Sequence, residues 1–579
     1  MHAFVDLYDR LDATTSRDAK LAALEEYFRV APREDAAWAL WFLVGNRLKR
    51  VVPSGELHDA AVARTGLPGW LIAQCRDAVG DGSETLALLL PEPAAPRELG
   101  VRALVEEFIQ PMRRGSAPRR AQLLAAVWDA LPARERFVFH KLISGSFRVG
   151  VSRGMAVRAL AGVAGVEPAE MEHRVMGTWT PTPANFEQIM LGAGEKEGID
   201  SASKPYPFYL AQQLNVDPAE VLGDARDWTA EWKWDGIRAQ LIRRRNPLVP
   251  NPAGAASSAP ILDPGRTALW SRGEEVISDR FPEIIHAGDD LPFGTVLDGE
   301  VLAWEDGRPL PFADLQTRIG RKEQSSRLFH DVPVVFAAYD VLEIGGVDIR
   351  PEGTRARRAT LDALLAALPA RARLVLKSSD LLPPGSWDDW RTARAESRAR
   401  GVEGLMLKHA DSPYGVGRTK DLARESAEPQ RGWWKWKVDP YTIDAVLIYA
   451  QRGSGRRAGV FTDYTFGVWD GPVPGTGKLV PIAKAYSGLT DEEINAVDKF
   501  IRAHTLTGGA GAAGSVVRAV EPTLVFEIAF EGLAESNRHK SGIALRFPRM
   551  ARWRTDKRAD EADTLAHVQA ILANTKRSE

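Results

Sequence analysis

EWKWDGIR, residues 231–238, sets one lysine between two tryptophans and follows it with an aspartate, a glycine and an arginine. Read as a strand, its side chains alternate, so Glu231, Lys233 and Asp235 share one face while Trp232 and Trp234 share the other. The tryptophans are then expected to bury in a core and the charged row to line a cleft. An ordinary amphipathic strand gives the same alternation, so the neighbouring segments must distinguish the two readings.

Downstream, charged groups recur on strand-like segments. Arg272 and Glu274 lie in SRGEE, Glu300 in LDGEVLAW, Tyr339 in FAAYDVL, and Glu403 and Lys408 in EGLMLK. WWKWK, residues 433–437, repeats the opening pattern, with Lys435 and Lys437 on one face and Trp434 and Trp436 on the other. Each motif alone is more often a half-exposed strand than a site. Together they supply a nucleophile, an aromatic platform, two carboxylates and several cations, an inventory suited to metal-assisted transfer on a nucleoside phosphate.

The 579 residues suffice for about three or four domains. No apolar run approaches the roughly 18 residues of a membrane helix, and MHAFVDLYDRLDATTSRDAK holds no apolar stretch of the secretory kind. One cysteine, Cys75, excludes an intrachain disulfide and a tetracysteine zinc site, which suits a reducing cytoplasm. Net charge is only −2, but residues 101–160 carry eleven Lys/Arg against four Asp/Glu, and residues 538–558 eight against one. Local basic surfaces of this kind suit a phosphate backbone.

From residue 1 to about 200, LAALEEYFRV, AAWALWFLVGNRL, ALVEEFIQPM, RAQLLAAVWDAL and RFVFHKLISG space apolar residues by three and four, which predicts an all-α domain. Short strands then dominate, interrupted by helical patches such as RATLDALLAALPA and by a Pro/Gly/Ala/Ser loop at 246–266. From Tyr441 onward, IDAVLIYAQRG, GVFTDYTFGVWD, KLVPIAKAYSG and TLVFEIAFEG predict a small barrel, best matched by an OB-fold, with DEEINAVDKFIRAHT as an inserted helix. GPVPGTGKL is not a phosphate loop, because its spacing is wrong and Leu479 stands where Ser or Thr is required.

In this order KWDGIR, SRGEE, DGE, AAYDVL, EGLMLK and WWKWK resemble the motif series of the covalent nucleotidyltransferases, which include DNA ligases, RNA ligases and mRNA capping enzymes. RFPRMARWRTDK, residues 546–557, resembles the C-terminal motif of ATP-dependent DNA ligases. KLISGSFRVGVSRGMAVRALA, residues 141–161, more loosely resembles a helical segment of the ligase DNA-binding domain. The resemblance implies a helical DNA-binding domain over 1–204, an α+β adenylation domain over 205–438 and an OB-fold domain over 439–579. It implies that Lys233 attacks the α-phosphate of ATP and carries AMP as a phosphoamide. Partial burial beside Arg238, Lys435 and Lys437 would favour the nucleophilic neutral amine, and the same cations would neutralise charge on the phosphate.

The resemblance further assigns Glu231 to the adenine edge, Tyr339 to stacking on the ring, and Glu300 and Glu403 to Mg²⁺, with Mn²⁺ as a substitute. Arg238 and Arg272 match arginines near the ribose and the nick phosphate. Asp235 would orient the lysine or balance charge. An arginine is expected shortly before WWKWK; the segment TKDLARESAEPQ separates two candidates, Arg418 and Arg431. Asp556 and Lys557 match the last motif, with Arg546, Arg549 and Arg554 as phosphate partners.

NAD⁺-dependent ligases resemble one another in a tetracysteine zinc module that one cysteine cannot build. An RNA ligase or capping enzyme, or a non-catalytic DNA end-binding protein, are the other readings. The RFPR segment and the helical N-terminal region favour duplex DNA over the former, and a purely binding protein needs neither the lysine nor both acids. The expectation is a monomeric, bacterial, cytoplasmic repair enzyme acting at the nucleoid on nicked duplex DNA and ATP, with no membrane partner. A helicase or nuclease partner is left open.

Overall fold

The computed structural model describes residues 1–48, 51–145, 147, 149–177, 179–192, 204–244, 266–273, 275–320, 326–417, 431–453, 459–506 and 517–578. The chain divides into two compact units. One comprises Met1–Val163, Pro181–Phe186 and Asp439–Arg577, and the other Ala164–Thr180 and Glu187–Val438.

The first 192 residues form helices and no strand among those described. LAALEEYFRV falls in the helix Arg17–Val30, started by the Ser16 side chain accepting from the Ala19 amide, and buries Leu24, Tyr27 and Phe28. ALVEEFIQPM is helical but irregular. Pro111 has no amide to donate to residue 107, and over Leu104–Ile109 the helix widens to a π turn, with the Gln110 amide reaching Val105. The basic surface expected over 101–160 is thinner than the residue count. Arg136 and Lys141 are buried, and Arg102, Arg120 and Arg134 pair with Glu106, Glu56, Asp6 and Asp9. A count of charges along the chain does not register these internal pairings.

Between Gln212 and Lys437 the described strands are β1 (Gln212–Gln213), β2 (Trp228–Trp232), β3 (Ile237–Arg244), β4 (Arg266–Ser271), β5 (Thr295–Glu305), β6 (Arg308–Pro309), β7 (Val334–Ile344), β8 (Val347–Asp348), β9 (Leu376–Ser378), β10 (Gly404–His409) and β11 (Trp433–Lys437). They make a four-stranded sheet, β1-β11-β10-β2, and a seven-stranded one built on β4-β3-β5-β7-β8. Tyr209, Trp433 and Tyr414 pack with Ile242, Trp270, Val296 and Leu342 in an apolar layer joining the sheets. A second cluster gathers Trp228, Leu405, Leu407, Trp434 and Trp436 from the four-stranded sheet with Trp387 and Trp390 from the helix Trp387–Ala395. A third packs β3, β5 and β7 against Phe281, Ile284, Leu361 and Leu365.

EWKWDGIR is not one strand. β2 ends at Trp232 and β3 begins at Ile237, so residues 233–236 carry the chain from one sheet to the other. The two tryptophans therefore divide: Trp232 packs with the β2 and β10 core, and Trp234 against Leu302, Val335 and Ala337. Gly236 makes the crossing feasible, because a Cβ there would sit 2.3 Å from the Val301 carbonyl oxygen. WWKWK does alternate as expected, with Trp434 and Trp436 buried and Lys435 and Lys437 half-buried on the other face. SRGEE departs from the strand reading, since β4 stops at Ser271 and Arg272 begins a turn.

The C-terminal strands are β12 (Tyr441–Arg452), β13 (Phe461–Trp469), β14 (Leu479–Ala485), β15 (Val517–Ala519), β16 (Val525–Phe530), β17 (Gly532–Glu535), β18 (Ile543–Arg546) and β19 (Arg549–Trp553). Six of them form one sheet, ordered β14-β13-β12-β16-β19 with β15 on β12, and β17 pairs with β18. DEEINAVDKFIRAHT supplies the helix Asp491–Ala503, closed by a Thr490–Glu493 capping box. Among the described residues no helix is long and apolar enough to cross a membrane.

Candidate active site

The crossing from β2 to β3 puts Lys233 where the two sheets meet. Its amide donates to the Gly404 carbonyl at 2.9 Å, and its carbonyl accepts from the Glu403 amide at 2.8 Å. Lys233 is thus tied to the start of β10 by backbone and half-buried there. Its Nζ lies 2.5 Å from Glu403 Oε2, and Lys437 Nζ lies 3.2 Å from that same oxygen. Burial would push the Glu403 carboxyl up, but Lys233 and Lys437 outweigh it and hold the group below its ordinary value. The amine's carboxylate partner at hydrogen-bond distance is therefore Glu403. Asp235 stands half-exposed in the crossing.

The seven-stranded sheet contributes a second cluster, centred on a residue the sequence did not single out. Asp298 is fully buried on β5. Arg238 grips it with Nε at 3.2 Å and Nη2 at 2.7 Å, and the hydroxyls of Tyr339 and Tyr414 donate to it at 3.2 and 2.6 Å. Arg238 Nη1 also donates to the Tyr209 carbonyl at 2.6 Å. Burial would lower the Arg238 pKa, yet the Asp298 charge holds it well above its ordinary value. Arg238, expected near the ribose or nick phosphate, thus spends its fork on Asp298 and its remaining face on the Phe208, Tyr339 and Trp433 rings. Period-two spacing places Asp298 beside Glu300 on β5, which is the signal by which sequence could have found it.

Glu300 pairs with Arg238 across β5 and β3. Its carboxylate makes no hydrogen bond or ion pair with any described residue. Burial pushes it up to about 8, opposed by the Lys233 and Arg238 charges and reinforced by those of Asp298 and Glu403. Glu231 and Lys408, on β2 and β10, are both buried and ion-paired. The Lys408 ammonium lies 4.5 Å from the Tyr339 ring centre and 4.1 Å from that of Trp433.

Lys435 pairs with Met406 across β11 and β10 and faces the same side as Lys437. Arg272 is exposed. Arg431 is exposed beside His409, at the end of β10 opposite Gly404 and Lys233. At about 3.3 Å per residue, the strand carries it on the order of 15 Å from the amine. Arg418 and Glu274 lie outside the described residues, as does most of the 246–266 loop.

The last motif forms its own network within the other unit. Arg554 donates to Asp444 at 2.9 Å and to Asp556 at 2.7 Å, and Lys557 Nζ reaches Asp444 at 2.6 Å. The Asp556 carboxyl is held far below its ordinary value by Arg554, and it remains exposed. Arg549 pairs with Glu531 at 2.9 Å, while Arg546 lies over the exposed Phe547 ring.

Family models described as DNA ligase N terminus, ATP dependent DNA ligase domain and ATP dependent DNA ligase C terminal region match residues 1–161, 260–437 and 457–557. A probable DNA ligase of Koribacter versatilis (strain Ellin345) is 30% identical over 608 residues, covering 99% of this chain and 96% of that one. A probable DNA ligase of Anaeromyxobacter sp. (strain Fw109-5) is 31% identical over 581 residues, covering 98% and 97%. The solved structure Pmar-Lig_PreS3 superposes with a TM-score of 0.58 at 15% identity, over 95% of this chain and 99% of that one, a likeness that bears on fold alone. Residues 231–238 fall between the matched ranges, so the reading of Lys233 rests on its own geometry.

Proposed function

The chain belongs to the family of ATP-dependent DNA ligases, and from that premise we propose that it joins a 3′-hydroxyl to a 5′-phosphate at nicks in duplex DNA through a Lys233–AMP adduct. The observation that carries this reading is the placement of the Lys233 amine at the junction of two sheets, 2.5 Å from Glu403. In the first step Nζ bonds to the α-phosphorus of ATP, the bond to the bridging oxygen breaks, and pyrophosphate leaves as the nitrogen loses its proton. The nick's 5′-phosphate then takes the AMP, and the 3′-hydroxyl displaces it.

Glu403 fixes the amine and Lys437 stands on the same carboxylate oxygen, placed to meet negative charge on the phosphates. Asp298 holds Arg238, Tyr339 and Tyr414 as one rigid group and so sets the Tyr339 ring for a base to stack upon. Glu300, a hard carboxylate without a partner among the described residues and close to Glu403, suits a divalent cation. Mg²⁺ held by Glu300 and Glu403 would neutralise charge on the phosphates.

Sheet order and the helix inserted between β14 and β15 support an OB-fold for the C-terminal region. A division at 204/205 and 438/439 and a role in repair are part of the same reading. The repair role is tested by whether a strain lacking the chain grows normally but loses viability after DNA damage.

The deciding experiment incubates the protein with α-labelled ATP, GTP or NAD⁺ and Mg²⁺. ATP alone is expected to leave acid-labile label, and Lys233→Ala to leave none while still binding nicked duplex. Label surviving in that variant, or transferred from NAD⁺, overturns the reading.

A further inference from the structure

β11 ends on the outer side of its sheet, where among the described residues β1 pairs with it only at Trp434 and Lys435. On that side the Lys435 carbonyl accepts from the Leu214 amide at 3.1 Å. Backbone groups alternate in direction along a strand. The Val438 amide turns inward to the Glu403 carbonyl at 3.1 Å, so the Lys437 carbonyl turns outward, past the end of β1. An arginine side chain meets it there. Arg394 donates to the Lys437 carbonyl with Nε at 2.8 Å and Nη2 at 2.5 Å, and its guanidinium carbon lies 5.1 Å from the Trp436 ring centre.

Arg394 stands on a rigid mount. It lies in the last turn of the helix Trp387–Ala395, which starts from a Ser386–Asp389 capping box. Trp387 and Trp390 of that helix share a core cluster with Trp434 and Trp436, and their indoles donate to the Gly223 and Pro383 carbonyls at 2.8 and 3.1 Å. Two N–H groups of one cation on a single carbonyl oxygen make a strong, charge-assisted anchor. The anchored peptide carries Lys437, whose Nζ stands 3.2 Å from the Glu403 oxygen that also holds the Lys233 amine. A lysine stem is long and flexible, so where its ammonium can reach depends on where its backbone is held.

We propose that Arg394 is a positioning residue for the adenylation step, acting through the Lys437 main chain to set that ammonium against the phosphates of ATP. This rests on the reading that Lys437 meets those phosphates. Arg394 does so without touching the nucleotide itself. Misplacement of a group by about 1 Å can cost about a hundredfold in rate, so loss of the anchor is felt in the chemical step even at saturating ATP.

The test is a double-variant cycle on the full chain, read as the single-turnover rate constant for adduct formation from saturating α-labelled ATP. That rate constant is insensitive to the fraction folded, which sets only the amplitude. Arg394→Met keeps an apolar stem over Trp436 and is expected to slow the step about tenfold to a hundredfold. Arg394→Lys, which keeps a charged donor, should slow it less. Placed on Lys437→Ala, Arg394→Met should change the rate constant less than about twofold, because the group it positions is gone. An equal fall from Arg394→Met in both backgrounds, a fall with lysine as deep as with methionine, or no fall at all overturns the role of Arg394. A wild-type rate in Lys437→Ala alone overturns the reading of Lys437, and the role of Arg394 with it.

Discussion

Lys233 and Glu403, separated by 170 positions in the sequence, are joined twice, by amine to carboxylate at 2.5 Å and by the Glu403 amide to the Lys233 carbonyl at 2.8 Å, and the Lys233 amide donates to the carbonyl of the next residue, Gly404, at 2.9 Å. Such a clamp fixes the backbone of Lys233 independently of the side-chain ion pair, and the ion pair then sets where the amine lies. Gly404 permits it, with φ +136° and a missing Cβ that would lie 2.4 Å from the Trp436 carbonyl oxygen.

Because the backbone bonds survive substitution, Glu403→Gln isolates the carboxylate's charge from its place. Adduct formation from ATP in a single turnover is expected to slow about a hundredfold, the usual cost of removing one preorganised electrostatic group. Circular dichroism should not change. An unaltered rate would leave Glu403 as a structural neighbour of the lysine and nothing more.

Glu300→Gln removes the carboxylate that has no described partner. The variant should need at least about tenfold more Mg²⁺ for half-maximal sealing, and raising Mg²⁺ should restore part of the rate, since the acid's role is to hold a cation. Chelation with EDTA should stop sealing in wild type. A Glu300→Gln enzyme with wild-type Mg²⁺ dependence would show that this acid binds no metal.

What was legible in the sequence follows from period. WWKWK alternates over a full strand, so its lysine face and tryptophan face were readable, and the helices of the first 192 residues were readable from spacings of three and four. Lys233 was legible as a candidate nucleophile but misplaced on a strand, because the Asp235-Gly236 break that moves the chain between sheets leaves the alternation intact on paper. Asp298 and Tyr414 were missed. The period-two place of Asp298 beside Glu300 was its one local signal, while the bond of Tyr414 to Asp298 spans 116 positions, which no local pattern encodes. Buried charges such as Arg136 and Lys141 misled the count of basic residues for the same reason.

Asp556→Ala with Lys557→Ala should separate the steps. Lys557 and Arg554 meet on Asp444 within the C-terminal region, and Asp556 stays exposed; a role for the pair in the step that releases pyrophosphate, and not in sealing, makes different residues limit different steps. The double variant is expected to lose at least about a hundredfold in reaction of free enzyme with ATP. Its sealing of a nick that already carries the 5′-adenylate should fall much less, since no pyrophosphate leaves in that step. Equal losses in both assays would mean that the pair has no special part in the pyrophosphate-releasing step.

His140 offers a test of stability far from the chemistry. It sits on the helix Ala133–Ser144, 1% exposed, with Nε2 accepting from the Trp128 indole at 3.0 Å and Nδ1 3.2 Å from the Ser83 carbonyl. The indole can only donate, so Nε2 is the bare nitrogen and Nδ1 carries the hydrogen that meets Ser83. Protonating Nε2 would set two N–H groups against each other. Burial pushes the His140 pKa down to about 4, the Arg136 charge adds to this, and the Ser83 carbonyl and Asp81, itself paired with Lys141, oppose it. The folded value lies below the unfolded one of about 6.5, so the contribution is complete above pH 6.5 and is lost as pH falls from there towards 4. At about 1.4 kcal/mol per unit the full loss is at most about 3 kcal/mol. His140→Gln keeps an acceptor for Trp128 and a donor for Ser83 but does not titrate. Wild type should therefore be the more stable at pH 7, with the difference shrinking by up to that amount by pH 4, read as hydrogen-exchange protection of the amides of Ala133–Ser144. A difference that is flat between pH 7 and 4 would mean that His140 takes up its proton without losing either bond.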